Sequence, residues 1–219
     1  MKNISLSLLV LCLYTGVSAQ YKKASFFEKT GRTYGLGTRL FALGDGKGSP
    51  IGYTLSFGTD QDGKQWFYNC DITYLPSYSF SFNTTNYNDA PVTVSGTTKP
   101  NLILGYFWGY HLLKNENNEQ LFKPYATLGF QMSTLGGPKE EDLVNDSWDN
   151  KKVVGERNFS GGLGGGVGTM LNFTSWLGLR LEGGYMYQFN FKKDGANTYH
   201  LLNKHPYVTA GLRFRVVSE

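Results

Sequence analysis

The chain has 219 residues, a formal charge of +4, 28 glycines, 40% apolar and 16% aromatic residues, and only 17% charged residues. That length suits one ordinary domain, and the near-balanced charge excludes a disordered polyelectrolyte and supplies no basic run for nucleic acid. Two cysteines, Cys12 and Cys70, exclude a disulfide-dense scaffold.

The first element is a targeting signal. Met1-Lys2-Asn3 is a short basic start, Ile4 to Tyr14 is almost unbrokenly apolar, and Val17-Ser18-Ala19 supplies small residues before Gln20. This is the pattern of a secretory signal peptide, expected over residues 1–19 and cleaved after Ala19. The bulky Leu11 before Cys12 argues against a lipidation site. The mature chain, 20–219, then keeps only Cys70 and forms no internal disulfide. Residues 20–32 read as a lead-in or a partial extension of the first strand.

No later stretch approaches the roughly 20 apolar residues of a membrane-spanning helix. What recurs is period-two alternation, the mark of strands with one apolar face. The first segment, 33–43, sets Tyr34, Leu36, Leu40 and Ala42 against Gly35, Gly37 and Arg39. The second sets Ile51, Tyr53, Leu55 and Phe57 against Gly52, Thr54, Ser56 and Gly58. The third, 65–75, sets Trp66, Tyr68, Cys70, Ile72 and Tyr74 against Asn69, Asp71 and Thr73. The fourth carries a stripe from Leu102 to Leu112 that includes Tyr106, Trp108 and Tyr110. The fifth, 121–134, and the sixth, 158–171, alternate too, the sixth with Ser160 and four glycines on its polar face. The seventh runs from Leu177 to Phe191 with Arg180 and Glu182 on the polar side, and the eighth from Pro206 to Val216 with Arg213 and Arg215.

Eight such segments, each near the roughly 9–11 residues of a tilted membrane-crossing strand, predict an all-β, antiparallel, up-and-down transmembrane barrel. Ten strands result if 76–99 forms a hairpin, with Tyr78, Phe80 and Phe82 leading up, a tip at Asn86–Pro91, and Val92 and Val94 leading back. The polar face is mainly Gly, Ser, Thr, Asn and Gln, which suits the crowded inside of a narrow barrel. The other face carries aliphatic and aromatic residues, as lipid requires; a soluble lipocalin-like barrel would carry charge there. The links at 60–64, 114–120 and 172–176 are short, whereas 76–99, 135–157 and 192–204 are long; of the outer links only the first, 44–50, is short. Short periplasmic turns and long extracellular loops are the outer-membrane pattern.

The signal, the eight strands and the C-terminal strand resemble the small outer-membrane β-barrels of the OmpA/OmpX and opacity-protein type, porin-like barrels of Gram-negative, diderm bacteria. The resemblance also covers an assembly signal in the last strand, here Thr209, Gly211, Phe214 and Val216, after which the chain continues through Val217-Ser218-Glu219. It implies residence in the outer membrane after export, with outer-membrane lipids and the outer-membrane assembly machinery as partners. No peptidoglycan-binding domain is expected after the barrel.

Inward charges in a narrow lumen must pair, because an unpaired buried charge is costly. Arg39, Asp71, Arg180, Glu182, Arg213 and Arg215 are therefore expected to form a structural network that fills the barrel, with Glu182–Arg213 as one pair. Catalysis at the outer rim would need a nucleophile and a base. His205, Ser160 and Ser133 fall inward near that rim, His200 lies in a loop and His111 at the opposite end, with no Gly-x-Ser-x-Gly elbow. The acids Glu140, Glu141, Asp142, Asp146 and Asp149 lack calcium-loop spacing, and Gly161–Gly166 lacks the Lys-Ser/Thr of a phosphate loop. The expectation is thus a non-enzymatic surface protein without cofactor or metal, acting structurally or binding a surface or envelope partner through loops 76–99, 135–157 and 192–204. The alternatives are a narrow porin-like channel, a subunit of an outer-membrane complex that docks through Trp108 and Tyr110, and a barrel enzyme that modifies lipid A.

Overall fold

The structure, a computed structural model, describes residues 31–43, 48–61, 63–85, 91–114, 120–134, 159–190 and 204–216. The signal segment 1–19, the lead-in 20–30 and the long loops 135–157 and 192–203 lie outside the described residues.

Ten strands follow one another: β1 (Arg32–Phe41), β2 (Ile51–Thr59), β3 (Trp66–Leu75), β4 (Ser79–Thr85), β5 (Pro91–Thr97), β6 (Asn101–His111), β7 (Phe122–Thr134), β8 (Phe159–Asn172), β9 (Leu177–Asn190) and β10 (Lys204–Val216). Eight close into an antiparallel barrel in the order β1-β10-β9-β8-β7-β6-β3-β2, and β4 and β5 form a separate two-stranded sheet. Each barrel strand thus pairs with its neighbour in sequence, except that β3 joins β6 across the inserted hairpin. The pairing of Tyr34 with Phe214 and of Phe41 with Tyr207 closes the ring.

Alternation fixes which side each residue faces. Leu36, Leu55, Leu128, Leu163, Val167 and Leu212 point outward and are exposed. Their inward neighbours include Arg39, Asp71, Gln131, Arg180 and Glu182, all buried. Polarity is therefore inverted relative to a water-soluble barrel.

The end where β1 begins and β10 ends, here the near end, carries the connections after β2, β6 and β8. The far end carries the β1–β2 link and the three longest connections, one of which holds the β4–β5 hairpin. Gly63, with φ of 73°, turns the chain between β2 and β3, a left-handed conformation that side-chain-bearing residues rarely adopt.

Rings fill much of the bore because facing positions are glycine. A Cβ on Gly109 would strike the Phe67 ring, and one on Gly184 would lie 2.6 Å from Cζ of Tyr207. Phe67, Tyr125 and Met170 form one buried cluster, and Phe107, Met186 and Tyr207 another.

Candidate functional site

The lumen holds the chemistry-bearing side chains in tiers. The middle tier is ionic. Arg39 on β1 sets Nη2 2.6 Å from Oδ2 of Asp71 on β3. Arg180 on β9 sets Nη1 3.1 Å from Oδ1 of the same carboxylate and Nη2 2.8 Å from Oε2 of Glu182. Ser56 Oγ donates to Asp71 at 2.8 Å, and Asn69 Nδ2 donates to it as well. The Tyr125 and Tyr207 hydroxyls donate to Glu182 at 3.0 and 2.9 Å. Arg39 completes its setting by donating from Nε to Thr209 at 2.9 Å and lying 4.8 Å from the Tyr207 ring centre.

Two guanidiniums thus face two carboxylates in a cluster that draws on six of the eight barrel strands. Pairing with further hydrogen bonds is what lets buried charges persist, since either partner alone would carry a large desolvation cost. The near-end tier is smaller. Asp60, just after β2, receives Arg213 Nη2 at 2.6 Å and His111 Nε2 at 3.1 Å. Burial would raise the Asp60 pKa, but the Arg213 charge and the His111 hydrogen bond outweigh it and hold the carboxyl well below its usual 3.8.

Apolar side chains gather inside the far end. Phe41, Leu43, Leu75 and Ile103 form a buried cluster against which Tyr78 packs. The neighbouring polar row joins Ser133 Oγ and Ser160 Oγ at 2.7 Å. The His205 ring is buried and packs on Phe41 with centroids 5.4 Å apart.

Of the six charges expected in one network, the structure brings four together: Arg39, Asp71, Arg180 and Glu182. The expected Glu182–Arg213 pair does not form. Arg213 sits two residues before Arg215 near the end of β10 and meets Asp60 instead, while Glu182 lies opposite Thr209, two inward positions farther up. Arg215 is also buried at the near end. Asp60 reads from sequence as a turn acid, yet it is 1% exposed. Tyr125 and Tyr207 carry no charge to single them out in the sequence; the parity of Tyr125 with Thr127 and of Tyr207 with Thr209 and Gly211 is the signal that places them inside. Thr209 is buried inside, Gly211 faces Gly37 across the barrel closure, and Phe214 and Val216 point outward.

Above the far rim, Thr98 N donates to Tyr78 O at 2.9 Å and Tyr78 N to Thr98 Oγ1 at 3.2 Å, clasping the base of the hairpin. The pairing of Phe80 with Gly96 and of Asn83 with Thr93 sets its register. The strand pairing extends to Thr85 and Pro91, so Pro91, expected at the tip, lies in β5.

No family model matches the chain, and no curated protein matches it. Among solved structures it is similar to the N-terminal β-barrel domain of Pseudomonas aeruginosa OprF, at 13% identity and a TM-score of 0.48 over 86% of this chain and 98% of that one. It is similar to the outer membrane protein OprG from Pseudomonas aeruginosa at 14% identity and 0.48, over 86% and 96%. Ail of Yersinia pestis, solved with the heparin analogue sucrose octasulfate, aligns at 13% identity and 0.45 over 86% and 98%. What decides the setting of this barrel is its own surface: an apolar outward belt of Leu and Val with Tyr106, Trp108 and Phe130 among them, and further rings at Trp66, Tyr110 and Trp176 toward the near end and at Tyr53, Tyr74 and Tyr187 toward the far end, all around a closed ring. The chain is a small eight-stranded β-barrel built to span a membrane. Such a barrel meets lipid along the whole belt.

Proposed function

We propose that this barrel resides in the bacterial outer membrane, its short-turn near end toward the periplasm, as a non-enzymatic scaffold that works through its outer loops, with the β4–β5 hairpin as the principal contact for a surface or envelope protein. One observation carries the reading. The bore is filled by the ionic tier and the far-end apolar cluster, while a two-stranded sheet of its own stands beyond the rim. Ser79, Ser81, Asn83, Thr93 and Ser95 on that sheet are exposed, and among the described residues β4 and β5 pair only with each other, which leaves edges suited to an extended partner segment. The loops 135–157 and 192–204 would add to the same face. The last strand, with Thr209, Gly211, Phe214 and Val216, is the segment through which the assembly machinery would recognise the chain.

A photo-crosslinking residue at Ser81 or Thr93 in intact cells is expected to capture a discrete protein, and the purified barrel is expected to be silent in planar bilayers. Steady single-channel steps without capture would replace this reading with that of a narrow pore. A change in lipid A mass abolished by His205→Ala would replace it with that of an enzyme.

A further inference from the structure

The bore is filled unevenly. On β6 and β7 every inward position is buried, from Asn101 to His111 and from Lys123 to Ser133. On the opposite wall Gly35, Gly37, Ser56, Gly58 and Gly211 also face inward but are only half-buried. The reason is side-chain size: β3, β6 and β7 contribute Phe67, Phe107 and Tyr125, whereas β1 and β2 contribute glycine and hydroxyl residues.

A cleft of about 30 Å³, open to solvent, lies against this wall in the near half of the lumen. That volume takes about two water-sized groups, room for a small oxyanion and not for a larger ligand. Arg180 and Arg213 line it, with Thr33, Ser56 and Thr209 supplying hydroxyls, and among the described residues no carboxylate lines it. Asp71 and Asp60 hold these arginines from behind.

Arg213 is the decisive group. It stands opposite Gly35, whose missing side chain leaves the space in front of it. It is 8% exposed, and among the described residues Asp60 is its one hydrogen-bond partner, reached through Nη2. Its Nε–H and Nη1–H groups are therefore available to the cleft. The buried Thr33 hydroxyl likewise has no side-chain partner among the described residues. Fixed guanidinium and hydroxyl donors in a cleft without acid match an anion with several acceptor oxygens, and the planar guanidinium fork suits phosphate and carboxylate geometry.

We propose that this near-end cleft is a binding site for a small oxyanion, a phosphate or a carboxylate, that enters from the periplasmic side and is held by Arg213 and Thr33. The site ends at the ionic tier, so it binds without conducting.

The test is amide NMR of the full barrel in detergent micelles, titrated with inorganic phosphate and with acetate at constant ionic strength, against chloride. The expected result is a saturable shift of the Thr33, Gly35 and Gly58 signals with at least one of the two oxyanions. Thr33→Val keeps both luminal ion-pair tiers and should weaken that binding about tenfold, the worth of a hydrogen bond to a charged group. Arg213→Lys keeps a charge beside Asp60 but removes the fork, and should weaken it further. Shifts that fail to saturate, an equal response to chloride, or unchanged binding in a folded Thr33→Val protein would each overturn the proposal.

Discussion

Asp71 and Arg180 stand 109 positions apart in the chain and meet at 3.1 Å in the middle of the barrel. Their contact ties β3 to β9, which are not neighbours in the sheet. The backbone ladder links only adjacent strands, so this pair braces the ring across its bore. Asp71 also takes Arg39, so one carboxylate joins guanidiniums from β1 and β9, and Glu182 supplies the second negative charge.

Asp71→Asn should therefore be the most damaging single change in the lumen. It leaves two buried guanidiniums short of charge, and breaking a buried pair typically costs about 3–5 kcal/mol. Glu182→Gln should cost less, because the amide oxygen can still accept from Tyr125 and Arg180 while the amide nitrogen donates to a rotated Tyr207 hydroxyl. Urea unfolding in lipid bilayers reads both, and an equal loss for the two variants would contradict the bracing role of Asp71.

Gly109 and Phe67 form a matched pair of a different kind. They lie opposite each other on β6 and β3, and the Phe67 ring occupies the space of the missing Cβ. Gly109→Ala should destabilise by about 1–3 kcal/mol through overpacking. Combining it with Phe67→Leu should recover part of the loss, a negative coupling in a double-mutant cycle. Additive losses would mean the two positions are independent.

The barrel was legible in the sequence because alternation is a local signal and survives translation into strands almost residue for residue. Strand three, read at 65–75, is β3 at Trp66–Leu75, and strand five, read at 121–134, is β7 at Phe122–Thr134. Parity also placed Arg39, Asp71, Arg180 and Glu182 on the inside. Partner choice was not legible. Which inward residue meets which depends on register, strand tilt and side-chain reach across the bore, none of which is local. Arg213 could have met Glu182 by proximity along the sheet, but it extends toward the near end, where Asp60 folds in from a turn. Sequence marks Asp60 only as an acid in an Asp-rich turn, so nothing announces its burial.

Asp60 makes the near end sensitive to acid. Its folded pKa lies below the usual 3.8, chiefly because the Arg213 charge and the His111 bond overcome the effect of burial. Its contribution to stability is therefore fully present above that usual value and declines as the pH falls through it toward the lower folded value. Asp60→Asn should lower stability at neutral pH and flatten the dependence below about pH 4. Thermal melts of both proteins in detergent across that range check this; parallel curves would show that Asp60 does not couple to the acid limb.

The outward belt yields the sharpest contrast between lipid and water. Leu128 is 69% exposed at the middle of β7, with Gly129 as its inward neighbour. In a water-soluble barrel, exchanging so exposed a leucine for arginine would be nearly neutral. In a bilayer the same charge lies near the midplane, where arginine costs about 2–4 kcal/mol. Toward the interface the cost falls, so Leu113→Arg, beyond the end of β6, should cost about 1 kcal/mol or less. Folding free energies of both variants in lipid vesicles test the depth dependence directly. A small penalty at Leu128 would remove the belt from the hydrocarbon, whereas a large penalty there and a small one at Leu113 would fix the barrel's height in the membrane.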